Sequence, residues 1–117
     1  MIKGKIVAID FDGTITKENL FPEIKELREN VVEVINKIAE HNTICIWTCR
    51  TGETLENAIE SLRKVGIRYN YINQSPCDKL NPSMRKIIAD YYIDDRNIFC
   101  KEINWLEIEK YFMNNDK

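Results

Sequence analysis

Four apolar runs punctuate the chain. Between them lie stretches in which apolar residues recur every three or four positions. The first run, Ile6-Val7-Ala8-Ile9 within "KIVAIDFDGTIT", predicts a strand over residues 5–11. "NTICIWT" (42–48), "RYNYIN" (68–73) and "DYYIDD" (90–95) predict three more. "ENVVEVINKIAEH" (29–41) sets Val31, Val34, Ile35 and Ile38 on one helical face. "ETLENAIESLRKVG" (53–66) does the same with Leu55, Ala58, Ile59 and Leu62, and stops at Gly66, a residue suited to a helix C-terminus. A further helix is expected over 103–115, "INWLEIEKYFMNN". Segments 13–28 and 74–83 hold glycine, proline and charge and read as loops, with a brief helical turn near Met84–Ile88.

Strands that alternate with helices predict an α/β fold built on a mostly parallel sheet. The expected architecture is a doubly wound three-layer sandwich, Rossmann-like, without an inserted cap domain. In such sheets ligands bind beyond the C-terminal ends of the strands, where the strand order reverses. Three of the predicted strands end in notable residues at that edge: Asp10 and Asp12, then Thr48 and Arg50, then Asp94 and Asp95. Trp47, on an apolar strand, is expected in the core, and Trp105 in the core or at an oligomer contact.

Composition narrows the function. The 117 residues fit a single domain, 1–117, and a formal charge of −2 argues against binding held mainly by nucleic-acid phosphates. Arg63, Lys64 and Arg68 with Tyr69 and Tyr71 form a modest basic and aromatic cluster, expected as a solvated face. No apolar run reaches the roughly 18–20 residues of a membrane span, and no signal-peptide pattern opens the chain. Cys45, Cys49, Cys77 and Cys100 lack zinc spacing and read as reduced thiols of a cytoplasmic protein.

Carboxylates gathered at one sheet edge repel one another and stay partly protonated unless a cation joins them. A hard divalent ion with oxygen ligands, Mg²⁺, suits them, and the charged site then accepts a phosphate dianion. "IVAIDFDGT" resembles the first motif of the haloacid dehalogenase superfamily, hhhhDxDG[TV]. "ICIWT" resembles its second motif, and "KIIADYYIDDR" its third and fourth, a lysine followed by a strand ending in an acidic pair.

That resemblance implies a Mg²⁺-dependent phosphatase. Asp10 would be the nucleophile and Asp12 the acid/base, lending its backbone carbonyl to the metal. Thr48 would hold a phosphoryl oxygen. Lys86 would neutralise charge between phosphate and Asp10, with Lys79 the alternative lysine. Asp95 would be the nearer metal ligand and Asp94 its support. The Asp at position 12 separates this pattern from the superfamily's dehalogenases, which lack it, and its metal-ATPases, which carry Thr there.

"WTCRTGE" also resembles the phosphatase domain of polynucleotide kinase/phosphatase proteins, in which case Arg50 grips substrate phosphate; the alternative is a salt bridge from Arg50 to Glu53 or Asp12. Both candidate cap-insertion points are too short for a folded domain. The expected substrate is a phosphorylated molecule, large or small, a nucleic-acid end included, with a homo-oligomer partner covering the site if it is small. A non-catalytic phosphate- or metal-binding regulatory domain is the alternative function. A receiver domain is disfavoured, because it places its acidic pair first and its phospho-acceptor on a later strand.

Overall fold

A computed structural model describes residues 1–77 and 86–115. In chain order it contains β1 (Ile6–Asp10), α1 (Val31–Ala39), β2 (Thr43–Trp47), α2 (Gly52–Val65), β3 (Tyr71–Ile72), β4 (Tyr91–Ile93) and α3 (Trp105–Asn114). The proposed lysine Lys79 and the start of the expected turn near Met84 lie outside the described residues.

The four strands form one sheet in the order β3-β2-β1-β4, and every pairing is parallel. The chain steps outward from β1 through β2 to β3, then returns across the sheet to place β4 on the other flank of β1. The order therefore reverses between β1 and β4, and that reversal opens a crevice at their C-terminal ends. The expected doubly wound α/β sandwich is what the chain forms.

Strand alternation divides the interior. Val7, Ile9, Ile44, Ile46 and Ile93 face the main core, where Val34, Ile35 and Ile38 of α1, Ala58 and Leu62 of α2, and Trp105 and Phe112 of α3 cover them. Ala8 and Cys45 face the other side and pack with Ile87 and Ala89 from the connection that returns to β4. Both faces of β1 and β2 are thus closed, as a central parallel strand requires.

Element ends differ from expectation for local reasons. α1 begins two residues late because Asn30 takes a left-handed φ of 65°, which breaks the helix at its N-cap. α2 ends where expected: Gly66, at φ 77°, donates to Arg63 and Leu62 carbonyls, and Ile67 N–H follows onto Leu62. β3 shrinks to two ladder residues at the sheet edge, although Asn70 and Asn73 N–H groups still donate to Ile44 and Ile46 carbonyls.

The segment between β1 and α1 is a loop folded on itself. The Phe11 carbonyl accepts from the Thr14, Ile15 and Thr16 N–H groups, and a bridge joins Thr16 to Leu27. Phe11 and Ile15 bury fully and anchor the loop to the core. Its outer part, carrying Asn19 and Phe21, stands beside the crevice.

Candidate active site

β1 and β4 deliver Asp10, Asp94 and Asp95 to one point. One carboxylate oxygen from each lies within 4.8 Å of the others. Among the described residues no Lys or Arg side chain comes within ion-pair reach of the three. Burial, reinforced by the Asp94 charge and then by Asp95, pushes the Asp10 carboxyl up to about 7 from its ordinary 3.8, against the lowering effect of a Thr14 hydrogen bond.

The cluster is held by a residue to which the sequence pattern gave no role. Thr14, fully buried, places its Oγ1 3.0 Å from Asp10 Oδ2 and 3.3 Å from Asp95 Oδ1, and accepts from the Asp95 N–H at 3.0 Å. One hydroxyl thus ties the end of β1 to the loop after β4. Gly13 makes the approach feasible. A Cβ there would stand 2.3 Å from Asp95 Oδ2, and its φ of +87° is one that L side chains rarely adopt. Arg28 clamps the same turn through Nε and Nη2 onto the Gly13 carbonyl, and the Trp105 indole N–H donates to the Thr14 carbonyl. Only the "GT" of the first motif hinted at this turn. Arg28 and Trp105 join it from 15 and 91 residues away.

Asp12 turns away from the cluster. Both of its oxygens accept from Arg50, Nε at 2.8 Å and Nη2 at 2.7 Å. Arg50 is fully buried. Its remaining donors reach the Pro22, Thr54 and Glu23 carbonyls, and its guanidinium lies 5.3 and 5.1 Å from the ring centres of Phe11 and Phe21. The expectation that Arg50 grips substrate is therefore corrected, and of its stated alternatives the salt bridge to Asp12 is the one that forms.

Thr48 stands at the end of β2 as expected and lines the same cleft as Asp10 and Asp12. Its N–H donates to Asn73 Oδ1 and its Oγ1 accepts from the Arg50 N–H. Among the described residues its hydroxyl hydrogen has no acceptor and is available to the cleft. Lys86 is not brought to Asp10. Its ammonium lies 4.9 Å from the centre of the Tyr92 ring, on the sheet face that Ala8 and Tyr92 share. The expectation for Trp47 is also corrected. It pairs in register with Asp10, so it leaves the sheet on the Asp10 side, and it is 38% exposed in the cleft.

The cleft measures about 450 Å³. Asp10, Asp12 and Asp94 form its acidic part, Thr48 and Cys49 one edge, and Trp47, Phe21, Asn19 and Arg96 its walls. Asp95 sits behind, against Gly13. The donor set suits a hard divalent cation: three carboxylates, joined among the described residues by no thiol or imidazole, and a mutual repulsion that raises the Asp10 carboxyl.

A small doubly wound α/β protein with an acidic cleft at its strand-order reversal is the class these features define. Neither a protein-family model nor a curated protein sequence matches the chain. A solved structure does match: a conserved protein coded by a locus of Bacteroides thetaiotaomicron, 31% identical, with a TM-score of 0.86 over 98% of this chain and 94% of that one. This chain belongs to the family of that conserved protein. Among the described residues no helix is long and apolar enough to cross a membrane, and all four cysteines are free.

Proposed function

We propose that the protein is a Mg²⁺-dependent phosphomonoester hydrolase of the haloacid dehalogenase type, working through an aspartyl-phosphate on Asp10. The observation that carries this reading is the convergence of Asp10, Asp94 and Asp95 at the reversal point of a parallel sheet, with Thr48 on the next strand facing the same cleft. Those three carboxylates would hold the metal. When bound, it supplies charge neutralisation that lets an anionic phosphate approach an anionic nucleophile.

The chain's own groups divide the remaining work. An Asp10 oxygen attacks phosphorus; the P–O ester bond breaks and the alcohol leaves with a proton. Water then cleaves the acyl-phosphate and regenerates the carboxylate. Asp12 serves the proton transfers. Although each of its oxygens accepts from Arg50, each retains a second lone pair, and Arg50 fixes the carboxyl's orientation. Thr48 Oγ1 donates to a phosphoryl oxygen. Lys86 lies on the correct sheet face, one pleat behind Asp94, and acts by swinging off Tyr92 toward bound phosphate. Four free thiols support a reducing, cytoplasmic setting.

A second reading, a non-catalytic phosphate- or metal-binding domain, is favoured by one observation: Arg50 occupies both oxygens of the carboxylate the chemistry needs as its acid/base. Hydrolysis of p-nitrophenyl phosphate with Mg²⁺ and with chelator separates the two. Metal-dependent release that Asp10→Asn reduces at least a thousandfold is the expected result. Turnover that survives Asp10→Asn removes the nucleophile assignment, and Mg²⁺ binding without turnover selects the second reading.

A further inference from the structure

The cleft has an aromatic side as well as an acidic one. Trp47 is the last residue of β2 and the in-register neighbour of Asp10, so its indole rises from the sheet directly beside the nucleophile. An indole 38% exposed at that position is not there for the core, since the core face of β2 is filled by Ile44 and Ile46. Phe21 lines the same cleft from the β1–α1 loop and is 52% exposed. Its ring is held in place: the Arg50 guanidinium lies 5.1 Å from its centre, and two Arg50 nitrogens bond to the carbonyls of Pro22 and Glu23 just after it. Arg50 is in turn locked by Asp12.

Two exposed aromatic rings thus line the same cleft as the acidic cluster and offer π-faces to a flat ring next to a site for a phosphate. Every nucleobase has a π-face, and stacking on aromatic side chains holds it with little regard to its edge pattern. A cleft of about 450 Å³ falls within the size range of small-ligand sites. The geometry points to a nucleoside monophosphate as the substrate class, its base stacked on Trp47 and Phe21 and its phosphate delivered to Asp10 and Thr48. This rests on the phosphatase reading of the same cleft and adds to it what the leaving alcohol carries.

The test compares 5′-AMP with ribose 5-phosphate, which present the same phosphate and sugar with and without the base. With Mg²⁺ present, kcat/KM for 5′-AMP should exceed that for ribose 5-phosphate at least tenfold. Trp47→Leu, and separately Phe21→Leu, should shrink that ratio about tenfold for the first and severalfold for the second. Equal rates on the two compounds, or variants that lower both rates equally, overturn the assignment. Binding is read independently of turnover. Trp47 is the cleft tryptophan and Trp105 is buried at 2% exposure, so quenching by 5′-AMP should be strong in wild type and lost in Trp47→Leu. If no phosphoester is hydrolysed, the phosphatase reading falls, while quenching by 5′-AMP and not by ribose 5-phosphate still upholds the aromatic wall. Absence of quenching overturns it whatever the enzymology shows.

Discussion

The two halves of the acidic cleft are built on opposite electrostatic plans. On one side Asp12 is matched by a buried guanidinium that spends every donor on protein acceptors. On the other, Asp10, Asp94 and Asp95 crowd together, and among the described residues their carboxylates accept from the Thr14 hydroxyl and the Arg96 N–H. The first half is complete within the chain, so it contributes rigidity. The second carries charge that the fold leaves for something from solution to balance, and such a region binds at the expense of its own stability.

The largest test breaks the complete half. Arg50→Ala strands the partly buried Asp12 carboxylate without its cation and leaves the Pro22, Glu23 and Thr54 carbonyls without that donor, so it should cost about 3–5 kcal/mol in urea denaturation. Arg50→Lys should recover little, because one ammonium cannot reproduce the bidentate fork. Gly13→Ala comes next. The left-handed backbone and the Asp95 carboxylate 2.3 Å from the new Cβ should together cost about 2–3 kcal/mol and lower Mg²⁺ affinity, read by calorimetry.

The incomplete half should respond to pH and metal. Asp10 holds its proton to about pH 7 in the folded chain and releases it near 3.8 when unfolded. The folded state therefore binds the extra proton between those values, and this group's contribution to stability falls as pH rises through that window. Allowing for solvent screening of a partly exposed group, the loss is about 2 kcal/mol. In chelator, Asp10→Asn should thus be the more stable protein at pH 8 and lose that advantage at pH 4. Added Mg²⁺ should raise the wild-type melting temperature at pH 8 and leave Asp10→Asn nearly unmoved. The smallest effect is expected from Thr14→Val, about 1–2 kcal/mol, with looser metal binding through the lost Asp10–Asp95 tie.

What the sequence disclosed follows the same division. Apolar periodicity located each strand and helix, because burial on a sheet or helix face is a local, repeating demand. The acidic tips were legible because they interrupt apolar runs at the edge where a parallel sheet opens. For Arg50 the pattern leaves two roles open, a grip on substrate or a salt bridge to Glu53 or Asp12; the Asp12 bridge forms, and the burial that settles it comes from the Pro22–Glu23 turn and Thr54, which nothing nearby in sequence announces. Trp47 was misplaced in the core, although strict alternation with Ile44 and Ile46 puts it with Asp10 instead. Thr14 looked like a turn residue. Its role as a tie depends on a loop 81 positions later. Lys86 matched a motif by spacing, yet its ammonium settles over the nearby Tyr92 ring.

The hydrogen bond from Trp105 to the Thr14 carbonyl spans 91 positions and joins the turn after β1 to the first residue of α3. A nascent chain emerging from the ribosome can pair β1 with β2 and lay α1 across them early. The acid cradle must wait for β4, and its prop for α3, which arrives last. A chain cut short between residues 96 and 104 therefore carries Asp10, Asp94 and Asp95 but lacks the indole that props their turn.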